Sequence, residues 1–252
     1  MIFFINITKD IGKDDSINDS DDTLGCIMKH TEHVSIQNIM SSLPTNREHK
    51  DFSFSPANAD TIRKYLDNLN AKKATGHDLL PSKILKVASS IICYPICNLI
   101  NKCIQTGKFP SAMKWADVCP VYKKGNNMDV ANYRPVSILP SVSKMFEKEI
   151  IGQLSCHFEN HFSPYVSGFR NKHSWETVLI RMVEHIKKQL NEGKVVCAVL
   201  IDLSKAFDCL PHKLLISKFR AYGISVSACD VITSYLRDRK NELKSGLQKR
   251  TG

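Results

Sequence analysis

The sequence predicts an α+β fold, rich in helix, with one short β-hairpin and an incomplete sheet. Three observations lead there. Apolar residues recur at three- and four-residue steps through most of residues 56–190 and 211–236, the period of amphipathic helices. Two short strand-like runs, around Val118 to Val121 and Val136 to Leu139, flank the turn-forming Lys123-Lys124-Gly125-Asn126-Asn127. A continuous run of strand-forming residues, Val195 to Ile201, ends on an acid, Asp202. A carboxylate closing a buried strand needs a cation, a hydrogen-bond network or solvent at a site mouth, because desolvating an unpaired charge is costly.

The chain of 252 residues has room for one large domain or two modest ones, with enough core to fold without staples. Its net charge of +10 is unevenly placed. Up to Lys50 there are five basic against eight acidic residues, and thereafter thirty against seventeen. The basic excess therefore belongs to the part expected to fold, which suits a polyanionic partner as well as it suits a solvated basic surface. Nine cysteines are scattered without a Cys-x-x-Cys pair, which argues against structural zinc and for reduced intracellular thiols acting as small hydrophobes. The apolar Met1-Ile2-Phe3-Phe4-Ile5 is too short for a signal peptide, and no span reaches membrane length, so a soluble protein is expected.

Residues 1–51 are rich in Asp, Asn, Ser and Lys, with short apolar patches at Val34, Ile36, Ile39 and Met40, and read as a loosely ordered lead-in. Ser55 followed by Pro56 suggests a helix start, and Ala59, Ile62, Leu66 and Leu69 supply its inner face. Lys73-Ala-Thr75-Gly76-His-Asp78 is a basic loop suited to phosphates or to a plain interhelical turn. Pro81 opens a second helix that Pro95 is expected to kink or break, and Gly107 can end it in a left-handed cap. Pro120 within the first strand argues for an edge or irregular strand. Lys123 and Lys124 at the tip, with Arg134 on the return arm, could close over a triphosphate or form a solvated turn. Met145, Phe146, Ile150, Leu154 and Phe158 mark the next helix. A basic loop, Gly168 to His173, leads to Ser174, which can cap a helix facing inward through Val178, Leu179, Met182, Val183, Ile186 and Leu190. The Asp202 strand follows, then helices from about Pro211 and from Val226 to Leu236, separated at Gly223. Residues 240–252 read as a polar tail.

The ordered series formed by Lys73 to Asp78, Phe109 to Trp115, Pro120 to Gly125, Asn132 to Leu139, Ser167 to Arg170 and Leu200 to His212 resembles the reverse transcriptases of non-LTR retrotransposons, the jockey-like LINE group in particular. The resemblance runs from about Phe52 to Arg239. It implies a fingers region over 52–193 with a hairpin on the nucleotide side, and a partial palm over 194–239. It also implies templated addition of deoxynucleotides by phosphoryl transfer at two Mg2+ ions, with an RNA template, a DNA primer and dNTPs as partners, in nucleus and cytoplasm. Residue by residue, Asp202 matches the first metal-binding Asp, and the main-chain carbonyl of Leu203 falls where the family supplies a second ligand. The lesser alternative for Asp202 is a helix cap at a strand end. Phe207 falls where similar enzymes place the ring that excludes a 2′-hydroxyl, though by itself it reads as core. Arg134, with Lys123 or Lys124, would hold the incoming triphosphate. Gly168 and Arg170 would lie near template and nucleotide, and Lys73, Thr75 and Gly76 along the template backbone. Asp208 is expected to start a helix or make a structural hydrogen bond.

The sequence departs from that family after Leu236. Neither a Gln-Gly motif nor an aromatic-x-Asp-Asp motif follows, and the pairs Asp14-Asp15 and Asp21-Asp22 lack the aromatic context and precede the fingers. The expectation is a chain truncated after the first catalytic motif, whether a broken element copy, an incomplete gene or part of a polyprotein. Alone it should not polymerise. The other reading is a catalytically inactive nucleic-acid-binding remnant.

Overall fold

The computed structural model describes residues 23–43, 51–203 and 210–243. The chain divides into two compact units, one made of Met1–Ile150 with Lys205–Gly252 and the other of Ile151–Ser204.

In the first unit, α1 (Thr23–Lys29) and α2 (Val34–Ser42) open the described chain. Both lie within the stretch 1–51 expected to be a loosely ordered lead-in. Ile36 and Ile39, three residues apart on one face of α2, bury in a small cluster with Ala221 and with Leu43, Leu214 and Tyr222 packed against it. The partner that orders this polar segment comes from α8 (His212–Ala221), far along the sequence. An ion pair between Asp51 and Arg220 adds a second tie. The chain at Phe52 bridges to Ile224, with Phe52 N donating to Gly223 O at 2.8 Å and Ser225 N donating to Phe52 O at 2.8 Å.

α3 (Ala59–Asp67) starts later than Ser55 suggested. Asn58 is the cap, its side chain accepting from Asp60 N at 2.8 Å, and Ile62 and Leu66 are fully buried. α4 (Ser82–Val87) and α5 (Ser89–Thr106) meet at Ala88, where the break falls instead of at Pro95. Pro95 lies on the exposed side within α5, where the carbonyl it leaves without a donor can meet water. Gly107 closes α5 in the left-handed region at φ 66°, as its position suggested. Cys93, Cys97 and Cys103 are buried along the inner face of α5, and all seven described cysteines are free thiols.

β1 (Trp115–Tyr122) and β2 (Tyr133–Ile138) form the expected antiparallel hairpin, with Val121 opposite Arg134. β3 (Lys240–Leu243) adds to β1 in parallel, so the sheet order is β2-β1-β3 and β1 is central, where an edge or irregular strand was expected. Pro120 is tolerated because β3 covers only Trp115 to Val118, and Pro120 faces Pro135 beyond that stretch. β3 itself arises in the expected polar tail. Its four residues are all exposed, so it carries no apolar alternation for a sequence reading to find.

α6 (Ser141–Phe158) starts at the hairpin's exit, with Met145 and Phe146 essentially without solvent exposure. α8 and α9 (Val226–Leu236) are separated by Gly223 at φ 84° and complete the core. Phe109 packs against Phe146 at 4.8 Å and Tyr235 at 5.2 Å between ring centroids, which joins the Phe109-Pro110 turn to α6 and α9.

The second unit holds α7 (Trp175–Asn191), capped by Ser174 in a reciprocal capping box with Thr177. No residue of α7 is buried. The face expected to turn inward is open: Val178, Leu179, Met182, Val183 and Leu190 are between 38% and 55% exposed. The predicted strand Val195 to Ile201 is corrected as well. Residues 194–203 have neither helix nor strand, and Val195 and Leu200 are 97% and 92% exposed. An apolar run becomes a strand only when a neighbour pairs with it, and no described strand does so. No helix among the described residues is long and apolar enough to cross a membrane.

Candidate functional site

The loop carrying Lys73, Thr75 and Gly76 is fixed by backbone contact and by rings. A Cβ at Gly76 would stand 2.7 Å from Pro140 N and 2.8 Å from the Leu139 carbonyl, so only glycine lets this loop meet the exit of β2. The next residue, His77, stacks on Trp115 of β1 at 5.1 Å with planes 13° apart. Its Nδ1 lies 3.1 Å from Asp117 Oδ1 and 3.6 Å from Glu242 Oε2, while Lys240 Nζ sits 4.8 Å from the centroid of the same Trp115 ring. The loop is thereby attached to both β1 and β3. Ser82 and Ser141 hydroxyls, 3.2 Å apart, hold the start of α4 to the start of α6. Lys73 is exposed and Thr75 half-buried on this scaffold. Lys144, in the first turn of α6, is pushed below the usual lysine range by burial and then by the Lys73 charge. Two cations thus share the neighbourhood of a helix N-terminus, an arrangement favourable to anions. Nothing in the sequence pattern marked Lys144, because it falls within an apolar helix face.

The hairpin tip is built by its own hydrogen bonds. Gly125 takes φ 97°, Tyr122 Oη donates to Gly125 O at 2.5 Å, Asn132 Nδ2 to Asn126 O at 2.9 Å, and Tyr133 Oη to Asn127 O at 2.8 Å. Lys123 N donates to Asn132 O at 2.9 Å and closes the ladder. Lys123, Lys124 and Arg134 are brought together at this end, all exposed, and none makes an ion pair with another described residue. Lys73, Thr75 and Gly76 stand at the opposite end of the hairpin. From Arg134 to Ile138 the strand runs four residues, roughly 13 Å.

Within the second unit, Arg170 is 11% exposed and heavily bonded. Nη2 and Nε donate to Glu159 Oε1 at 2.6 and 3.2 Å, and Nη1 donates to the carbonyls of Ser163 and Val166 at 3.2 and 3.0 Å. Arg181 Nη1 donates to Pro164 O at 2.7 Å. Two guanidinium groups therefore staple the loop that contains Gly168. Between Gly168 and Arg170, Phe169 is held at φ 66° with its side chain 74% exposed, an aromatic tip that sequence reading passed over. Asp202 and Leu203 are exposed, and Phe207 and Asp208 lie outside the described residues.

The oxygen donors expected for a divalent cation, the Asp202 carboxylate and Leu203 carbonyl, are of the right chemical kind. Among the described residues, however, no group of three or more His, Cys, Asp or Glu side chains is placed to hold a metal. The described residues do not by themselves compose the metal site.

One buried polar cluster was not foreseen. Tyr235 Oη donates to Glu147 Oε1 at 2.5 Å, and Arg239 stacks 3.9 Å from the Tyr235 centroid, its Nη2 lying 3.9 Å from Glu147. Burial raises Glu147 above the usual carboxylate range, against the opposing pull of Tyr235 and Arg239. Burial, then the Arg239 charge, lowers His212. Its members are separated by almost a hundred residues, which is why no local motif announced it.

Comparison with known proteins bears on these parts. Residues 121–252 match the family described as reverse transcriptase (RNA-dependent DNA polymerase). The chain is 27% identical over 188 residues to the RNA-directed DNA polymerase from mobile element jockey of Drosophila funebris, an alignment covering 73% of this chain and 20% of that protein. The Drosophila melanogaster jockey polymerase is 28% identical over 162 residues, covering 63% of this chain and 18% of its own length. The probable RNA-directed DNA polymerase from transposon BS of the same fly is 29% identical over 188 residues, covering 73% and 21%. The chain spans about a fifth of the length of these curated relatives.

Proposed function

The chain belongs to the reverse transcriptase (RNA-dependent DNA polymerase) family, and from that premise we propose that it is the fingers and first palm segment of a non-LTR retrotransposon polymerase that copies RNA into DNA. The observation that carries this reading is the family match from residue 121 onward, which includes the tip cations, the stapled loop and Asp202. Lys123, Lys124 and Arg134 hold the incoming triphosphate; Lys73, Thr75 and Gly76, joined by Lys144, lie along the template backbone, where contacts position a strand without reading it. Gly168 and Arg170 act by shaping the loop that meets template and nucleotide. The family works with divalent metal, here read as Mg2+, which stabilises charge on the reacting phosphate oxygens when bound. Asp202 and the Leu203 carbonyl supply oxygen ligands, and Phe207 excludes a 2′-hydroxyl. The protein acts in nucleus and cytoplasm.

A specific observation favours a second reading. Among the described residues no group of three or more His, Cys, Asp or Glu side chains is placed to hold a metal. A protein of this kind retains salt-dependent binding to an RNA/DNA hybrid but does not extend a primer. Primer extension on a poly-rA template with dNTPs separates the readings. The chain alone is expected to give binding without extension, and the chain joined to the palm region of a jockey-type polymerase is expected to extend until Asp202→Ala abolishes it. Extension by the joined protein that survives Asp202→Ala would overturn the assignment of Asp202.

A further inference from the structure

The loop between α6 and α7 holds an aromatic ring in water at a conformational cost. Phe169 sits at φ 66°, a region that bulky side chains rarely occupy, and it is 74% exposed. Lys172, three residues on, is also left-handed, at φ 62°. Such backbone persists only where the surroundings over-determine it. Here they do. Arg170 donates to Glu159 Oε1 and to the Ser163 and Val166 carbonyls, and Arg181 donates to the Pro164 carbonyl. Val166 N donates to Ser163 O at 3.0 Å and Tyr165 N accepts no freedom either, donating to Ser163 Oγ at 3.3 Å. Tyr165 is 80% exposed on this closed turn. Two rings therefore stand on a loop whose shape is set before any ligand arrives.

The charge around the rings narrows what they meet. Residues 160–175 contain Arg170, Lys172, His161 and His173 and no acid. The flanking acids are engaged, Glu159 by Arg170 and Glu176 by the Ser174 hydroxyl at 2.6 Å. Lys172 is exposed. Rigid exposed rings beside unopposed cations suit a nucleic-acid strand, because every base offers a flat π-face and every base brings a phosphate. A duplex hides those faces inside its stack, so the strand is one whose bases are unpaired. The inference rests on the reading of the chain as part of an RNA-copying polymerase, whose template ahead of the copied stretch is single-stranded.

We propose that an unpaired base of the RNA template stacks on Phe169, with Tyr165 offering a second ring and Lys172 facing the phosphates. The test is fluorescence anisotropy of the full chain with two labelled strands of equal phosphate count, an unstructured RNA of roughly ten nucleotides and an abasic strand. The parent is expected to bind the RNA at least about tenfold more tightly than the abasic strand. Phe169→Leu keeps an apolar side chain without a π-face. It is expected to lose at least about fivefold on the RNA and nothing on the abasic strand, whereas Phe169→Trp should keep the parental preference. Equal parental binding to both strands, parental RNA affinity in Phe169→Leu, equal loss on both strands, or loss in Phe169→Trp to match Phe169→Leu would each overturn the proposal and leave the polymerase reading standing. A Phe169→Leu protein that fails to fold would do the same, since it would place the ring in the chain's own packing. A parent that binds neither strand would overturn both.

Discussion

Gly76 holds the 73–78 loop against the exit of the hairpin because it has no side chain. Adding one methyl group puts a carbon 2.7 to 2.8 Å from backbone atoms of Leu139 and Pro140, which cannot swing aside as a side-chain tip could. Gly76→Ala is expected to cost about 1–3 kcal/mol of stability, the usual range for overpacking a tight contact. Denaturant unfolding measures it, and an unchanged midpoint would show that the loop yields freely. The buried cluster behind α6 gives a pH effect whose sign is fixed. His212 is held below the ordinary imidazole value by burial and by Arg239. In the window just under that ordinary value the unfolded chain binds the proton and the folded chain does not, so stability falls as the pH drops through it. Denaturant midpoints compared between about pH 7 and pH 5 should decline for the parent and decline less for His212→Gln. Equal declines would assign the pH dependence to other groups.

At the scale of elements, the β1–β2 hairpin carries three exposed cations on a tip braced by Tyr122, Asn132 and Tyr133. A rigid tip keeps its charges in place without help from the ligand. If these charges meet phosphates, each of Lys123→Ala, Lys124→Ala and Arg134→Ala should reduce the salt slope of binding to an RNA/DNA hybrid by about one released counterion or less. Fluorescence anisotropy across a salt series reads this directly, and unchanged slopes in all three would remove the tip from the interface. The hairpin, the Gly107 stop and the Ser174 cap were legible because each rests on a few neighbouring residues whose chemistry dictates local geometry. The helices α1 and α2, the strand β3 and the Glu147–Tyr235–Arg239 cluster were not. Each depends on a partner far along the chain, and β3 in addition exposes every residue. Of the candidate residues, Asp202 and the tip lysines could be named from the sequence as residue types in an ordered series, whereas Lys144 and Phe169 emerged only from burial and backbone geometry.

For the whole molecule, the two units differ in how much apolar surface they remove from water. The first buries Ile62, Leu66, Ile100, Met145, Phe146, Ile216 and Val231 almost completely. The second leaves the apolar face of α7 and the run from Val195 to Leu203 in solvent. Full burial of one such side chain contributes about 1.5–3 kcal/mol, and that contribution is largely missing from α7. Its helix is instead supported by the capping box and by local bonds, which are worth far less than a packed face. The second unit should therefore open at low free energy while the first opens only with global unfolding. Native-state hydrogen exchange can resolve this. Amides of residues 180–191 are expected to exchange through small local openings that are insensitive to low denaturant. Amides of α5 and α9 should exchange last, with a denaturant dependence close to that of global unfolding. Supplying a sheet that packs on the α7 face and pairs with Val195 to Ile201, as in a protein joined to the palm region of a jockey-type polymerase, should raise the protection of α7 toward that of α5. Equal protection of α7 and α5 in the chain alone would mean that the open face contributes nothing to the difference.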